Sequence, residues 1–376
     1  MKPIQMVDLV SQYNKIKPEV NKAFEGVMNS AAFINGPEVQ ALKSELQDYL
    51  GVKHVIPCAN GTDALQIAFM ALGLKPGDEV IAPTFTFVAT AEVIALLGLT
   101  PVLVDVDPDT MVIDPEAIKK AITPKTKAIV PVHLFGQCAD MNALQAIAEE
   151  HSLVVVEDTA QAIGADYTLQ NGNTQKAGTI GDIGCTSFFP SKNLGCFGDG
   201  GAIFTNDDAL ANKMTMIVNH GMKVRYYHDE IGVNSRLDSM QAAVLRIKLR
   251  NLDQYNANRR AAAAAYSAAF ADRDDVQTPA FAENSTHVFH QYTLRIKGKD
   301  RNALQKHLMD KGVPAMIYYP VPMHLQSAYQ DARYKKGDFS VAEMLMEEVI
   351  SLPMHSELED DQIELITSSV LEFLNK

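Results

Sequence analysis

Five short apolar runs, VKHVIPC, EVIAPT, TPVLVDVD, KAIVPVH and LVVVED, recur between residues 52 and 158, and helical-period segments separate them. The runs are apolar throughout rather than alternating, so each predicts a strand buried on both faces. Strand alternating with helix in this way predicts a three-layer α/β fold, a mostly parallel sheet covered by helices on both sides. FINGPEVQALKSELQDYLG precedes the first strand and reads as a helix opened by Gly36-Pro37 and closed at Gly51. After the fifth strand, QNGNTQKAGTIGD reads as a polar, turn-rich surface hairpin. IGCTSFF and GAIFT then read as two further strands. One long helix is expected from about Leu237 to Ala271, followed by a smaller α/β pattern. A chain of 376 residues exceeds one compact core. The expected division is 1–250 for a large ligand-binding domain and 251–376 for a small C-terminal domain.

In open parallel sheets, ligands gather at the carboxyl ends of the strands. Three features fall there. In ANGTDAL, Gly61 and Thr62 open a helix directly after a strand, where free N–H groups and the helix dipole attract an anion. Thr62 or Asn60 could equally serve only as the helix cap. In LVVVEDTAQAIGA, Glu157 and Asp158 end a wholly apolar strand. A carboxylate there is costly without a partner, such as a protonated ring nitrogen or the N–H groups of a helix start. In TSFFPSKNLGCFGDGGAIFT, a single lysine, Lys192, stands between a strand and a glycine cluster, five residues after Ser187. Desolvation would turn such a lysine into a nucleophilic amine; in a plain surface hairpin it would be an ordinary lysine.

A phosphate, a basic ring nitrogen and an aldehyde satisfy all three features, and pyridoxal phosphate carries all three. Its phosphate and aldehyde sit on adjacent ring carbons, which suits the short spacing of Ser187 and Lys192. Asp158 would keep the ring nitrogen protonated. Phe87, in PTFTFVAT, is the candidate for the ring face. The glycines after Lys192 (Gly195, Gly198, Gly200, Gly201) would let the backbone turn tightly beside the cofactor. No GxGxxG follows the first strand, and neither GxxxxGK[ST] nor HExxH occurs. His287 and His290, in HVFH, lack a third ligand, so they read as structural and no metal is expected.

The formal charge of -13, with no basic block, argues against nucleic-acid or anionic-membrane partners. The four cysteines show no CxxC spacing, no signal peptide is evident and no apolar run would span a bilayer. The expected location is the cytoplasm.

These motifs, in this order, resemble the sugar-nucleotide aminotransferases of the DegT/DnrJ/StrS type, among the fold-type I pyridoxal phosphate enzymes. The likeness runs from VDLVSQY through NGTDAL, PTFTFVAT, PVHLFGQ, VVEDTAQAIGA, SFFPSKNLGCFGDGGAIFT and GVNSRLDSMQAAVL to YYPVPMHLQ. It implies a seven-stranded sheet and a homodimer with shared active sites. Lys192 would be the Schiff-base lysine and Asp158 the partner of the pyridinium. Gln161 would contact the ring hydroxyl, Gly61, Thr62 and Ser187 would hold the phosphate, and Phe87 would stack on the ring. Asn234 would reach the phosphate of the neighbouring subunit's cofactor, and Arg236 that neighbour's sugar nucleotide. Tyr319 and His324 would line the substrate side. One branch of the family carries histidine in place of the lysine and dehydrates sugars; Lys192 implies transamination. The substrates implied are glutamate and a UDP- or dTDP-linked keto sugar, first of all UDP-2-acetamido-2-deoxy-3-oxo-glucuronate. Rival readings are a 4-keto-sugar aminotransferase, a lyase built on the same Lys192 and Asp158, and a pyridoxal-binding regulator without turnover.

Overall fold

A computed structural model describes residues 2–376. Its centre is a seven-stranded sheet. The strands are β1 (His54–Cys58), β2 (Glu79–Pro83), β3 (Thr100–Val104), β4 (Thr126–Ile129) and β5 (Val154–Asp158). The hairpin β6 (Asp166–Thr168) and β7 (Thr174–Lys176) follows, then β8 (Ile183–Ser187) and β9 (Gly201–Thr205). The sheet order is β1-β9-β8-β5-β4-β2-β3, and only β9 runs antiparallel to its neighbours. This is the expected seven-stranded, three-layer sheet. The QNGNTQK segment forms the β6–β7 hairpin outside it, as the sequence predicts.

The strands bury both faces because their residues alternate between two cores. Val80 and Ala82 of β2 and Val156 of β5 face one core, with Ala64, Leu65 and Ile67 of the helix Gly61–Leu72. Ile81 and Val155 face the other, with Ile118, Leu144 and Ile147. This period of two governs the site, since the parity of a residue selects the face on which its side chain emerges.

The expected single helix from Leu237 to Ala271 is instead two, Ser239–Leu249 and Leu252–Ala269. The break lies at Asn251, whose side-chain amide donates to the Ile247 carbonyl at 2.9 Å while its N–H bonds Lys248 at i−3. An asparagine that satisfies a backbone acceptor locally competes with the helical ladder. Beyond the break, a small antiparallel sheet (Val276–Gln277, Tyr292–Ile296, Val349–Leu352) packs with Leu252–Ala269 and the last helix, Asp360–Leu374. The two ends of the chain meet there: Ile4 joins this C-terminal core, and Met354 N–H donates to the Met6 carbonyl. In the other direction Met323, Phe339 and Leu345 pack into the core of the large sheet. No helix among the described residues is long and apolar enough to cross a membrane.

Candidate active site

At the carboxyl ends of β1, β5 and β8 three groups converge. Ile183 and Cys185 of β8 face the same core as Val156 of β5, so Ser187 and Asp158, each two residues further on, emerge on that same face. The helix after β1, Gly61–Leu72, starts on this side. Its cap is Asn60, whose side chain accepts the Asp63 N–H at 2.8 Å. Thr62 is therefore not the cap and its hydroxyl remains available, with the first-turn N–H groups, for an anion. Two close approaches shape this cradle. A Cβ on Gly61 would lie 2.6 Å from the Ser187 Cβ, and one on Gly201 would lie 2.5 Å from the Asn60 backbone. Only glycine lets the β8 end, the β9 start and the helix start come this near.

Parity also separates the two acidic residues that close β5. Glu157 turns to the opposite face and is fully buried. It accepts the backbone N–H groups of Gly178, Ile180 and Gly181 and pairs with His133 Nε2 at 2.8 Å. It pins the loop between β7 and β8 and is fully engaged. Asp158 faces the cradle side at 7% exposure. Its Oδ1 accepts the Ala160 N–H at 3.1 Å and its Oδ2 the Thr90 hydroxyl at 3.0 Å. Burial pushes the Asp158 carboxyl above its ordinary range, while these two hydrogen bonds and the charges of Lys192 and His133 pull the other way.

Lys192 lies in the turn that follows β8, its N–H bonded to the Phe189 carbonyl at 2.9 Å. Burial of its amine pushes the lysine down to about 8, against the opposing pull of the Asp158 carboxylate. The side chain as a whole keeps some solvent contact, so the desolvation acts on the amine end. A residue that sequence reasoning missed anchors this turn. The buried Asn193 amide donates to Asn256 Oδ1 at 2.7 Å and to the Val288 carbonyl at 2.9 Å. A second close approach tightens it, since a Cβ on Gly195 would collide with the Pro190 carbonyl. The HVFH segment packs against Asn193. His287 stacks on Phe289 at 3.9 Å, and burial pushes it down to about 3; His290 is pushed down likewise. Among the described residues there is no group of three or more His, Cys, Asp or Glu side chains placed to hold a metal.

The remaining expected residues divide. Gln161 Oε1 accepts the Phe135 N–H at 2.7 Å, and its Nε2 donates to the Tyr319 hydroxyl at 3.1 Å, so Gln161 and Tyr319 meet beside Asp158. Phe87 is 54% exposed, leaving its ring face open, and its ring lies 6.3 Å from that of Tyr319. His324, expected on the substrate side, lies between the C-terminal segment and the end of β2. Its side chain is buried, Nδ1 lies 2.8 Å from Thr84 Oγ1 and Nε2 lies 3.1 Å from Glu343 Oε1. With both ring nitrogens engaged it has none free for a substrate; it ties the C-terminal segment to the end of β2. Asn234 is exposed, and Arg236 donates to Asn219 Oδ1 at 3.0 Å. Ser235 between them accepts the Ala59 N–H at 3.0 Å, which sets the segment against the chain's own helix start at Gly61.

A glycine-lined anion cradle, a buried carboxylate and a desolvated lysine on this sheet suit pyridoxal phosphate, and they define a fold-type I pyridoxal phosphate enzyme. The profile of the DegT/DnrJ/EryC1/StrS aminotransferase family matches residues 14–371, and the chain belongs to that family, whose cofactor is pyridoxal phosphate. It is 47% identical over 98% of both chains to a "pleiotropic regulatory protein" of Geobacillus stearothermophilus. It is 45% identical, over 98% of this chain and 99% of the relative, to UDP-2-acetamido-2-deoxy-3-oxo-D-glucuronate aminotransferase of Pseudomonas aeruginosa. Among solved structures it is similar to S. venezuelae DesV in complex with a ketimine intermediate, at TM-score 0.95 and 39% identity, covering both chains completely. The chain is a pyridoxal phosphate-dependent sugar aminotransferase.

Proposed function

We propose that the chain moves an amino group from glutamate to the 3-keto group of UDP-2-acetamido-2-deoxy-3-oxo-glucuronate, giving a diamino uronic acid for surface polysaccharide. The observation that carries this choice is the end-to-end 45% identity with the Pseudomonas enzyme, joined to a lysine, not a histidine, at position 192. When bound, the cofactor would supply an electron sink beside the transferred nitrogen. Gly61, Thr62 and Ser187 would hold its phosphate, Phe87 would cover a ring face, Asp158 would pair with the ring nitrogen and Gln161 would contact the ring hydroxyl. Lys192 Nζ, which desolvation brings to about 8, would be the amine that meets the aldehyde and the base that takes the proton from the donor's α-carbon. Tyr319 borders the substrate side. All four cysteines are free and buried, which suits the reducing cytoplasm.

The active unit in this reading is a homodimer, with Asn234 and Arg236 serving the neighbour's site. Exposed apolar side chains support it: Phe33, Ile34 and Phe189, with Val224, Tyr226 and Tyr227 on the hairpin Met222–Val224/Tyr227–His228. The 47% relative named as a regulator favours one alternative, cofactor binding without turnover. Purified protein with glutamate and a panel of UDP- and dTDP-linked 3- and 4-keto sugars decides. An amino sugar from the UDP 3-keto uronate alone is expected. Amination of a 4-keto sugar instead would replace the substrate, and no amino product from any sugar by cofactor-loaded protein would favour the regulator. Lys192→Ala is expected to lose all turnover while still binding cofactor, and borohydride reduction of wild type is expected to label Lys192.

A further inference from the structure

We infer that Thr90 is a positioning residue for the cofactor: its buried hydroxyl holds the Asp158 carboxylate ionised and aimed at the ring nitrogen. This rests on the reading of Asp158 given above. Thr90 is fully buried in the first turn of the helix Ala89–Leu96, among Ala89, Val93 and Ile94 of the apolar core. A hydroxyl there costs free energy unless bonded, and valine has nearly the same shape. Helical threonines often return the hydroxyl to a carbonyl one turn back. Thr215 and Thr367 do so here, bonding Ala211 and Ile363. Thr90 does not. Its hydroxyl crosses to Asp158 Oδ2 at 3.0 Å, a residue 68 positions away.

The carboxylate receives two hydrogen bonds from the protein. The Ala160 N–H holds Oδ1 within the turn that Asp158 itself begins. Thr90 makes the side-chain hydrogen bond from another element, so it ties the carboxylate to the helix Ala89–Leu96. It also opposes the effect of burial, which pushes Asp158 toward the neutral acid. A neutral acid cannot hold a pyridinium, and a rotated carboxylate would meet it poorly. The helix that carries Thr90 begins two residues after Phe87, so one piece of chain sets both the ring-face contact and the ring-nitrogen contact.

The test separates this role from simple packing with two ligands: pyridoxal 5'-phosphate and its 1-deaza analogue, in which a C–H replaces the ring nitrogen. Apoenzyme of wild type, Thr90→Val and Thr90→Ser is titrated with each by absorbance, and the Tm of each apoenzyme is recorded. Thr90→Val is expected to weaken pyridoxal phosphate about ten-fold or more, the effect of one hydrogen bond to a charged group. The deaza analogue is expected to bind within about two-fold of its wild-type affinity, since it makes no demand on Asp158. Thr90→Ser is expected to restore most of the loss. If Thr90→Val does not fold, Thr90→Ala is read in the same way. Equal weakening of both ligands, or none, overturns the proposal. A wild-type protein that binds both ligands equally overturns the Asp158 assignment beneath it.

Discussion

At the scale of single residues, the proposed site depends on two charge states, one that burial favours and one that it opposes. In the proposed role Lys192 acts as the neutral amine, and desolvation brings it to about 8. Asp158 in its proposed role stays ionised, and its hydrogen bonds resist the same desolvation. Cofactor capture by apoenzyme is therefore expected to accelerate as pH rises through about 8, as the amine loses its proton. Stopped-flow absorbance at a series of pH values checks it, and a rate independent of pH from 7 to 9 would count against Lys192 as the capturing amine. Stability carries the same signature. A lysine held at about 8 in the folded state and near 10.5 when unfolded binds fewer protons folded between those values. The apoenzyme thus gains stability as pH rises through that window. Lys192→Met apoenzyme is expected to be the more stable at pH 7, with the gap closing by pH 10.5. The gap is at most about 3.5 kcal/mol, from about 1.4 kcal/mol per unit, and smaller where solvent still reaches the side chain.

At the scale of elements, the segment after Tyr318 is stapled to the end of β2. Met323 N–H donates to the Thr84 carbonyl at 2.8 Å, and His324 bridges Thr84 to Glu343. Since Glu343 can only accept when ionised, Nε2 donates to it. The staple places Tyr319 against Phe85 and Phe87, with centroids at 6.0 and 6.3 Å, and under Gln161. His324→Ala would remove one hydrogen bond each from the Thr84 hydroxyl and the Glu343 carboxylate in a buried seam. A loss of about 2 kcal/mol is expected, read as a lower urea midpoint with unchanged slope. A variant as stable as wild type would show that the seam holds without the histidine.

At the scale of the whole molecule, the question is whether one chain completes a site. Lys192→Ala and Arg236→Ala proteins, each inactive alone, are co-expressed. In a mixed dimer with shared sites, one site inherits both defects and the other inherits neither. Random pairing of equal amounts makes half the dimers mixed, with half their sites intact, so about a quarter of wild-type activity is expected to return. If mixed dimers form and no activity returns, Arg236 serves the same chain that carries Lys192. The anchoring of Ser235 on Ala59 makes that outcome a real contest.

The layered sheet was legible in the sequence because apolar runs of strand length and helical periods are local patterns, and burial on both faces leaves no polar alternation. The lysine, the glycine turn and the strand-end carboxylates were legible for the same reason: each breaks its local pattern. Even the choice of Asp158 over Glu157 was written in the alternation from Val156, once the core face of β5 was known. What sequence reasoning could not reach depends on partners distant along the chain. The break at Asn251 is a side chain outcompeting the helical ladder, which strong helix formers on both sides conceal. His324 looks like a site residue until Thr84 and Glu343, 240 and 19 positions away, occupy both its nitrogens. Thr90 looks like one more helical threonine until β5 brings a carboxylate to it. Local pattern determined which elements form and where chemistry could gather. Only the packed structure decided which polar atoms were already satisfied and which were left for a ligand, because satisfaction of a buried group is a property of its neighbours in space.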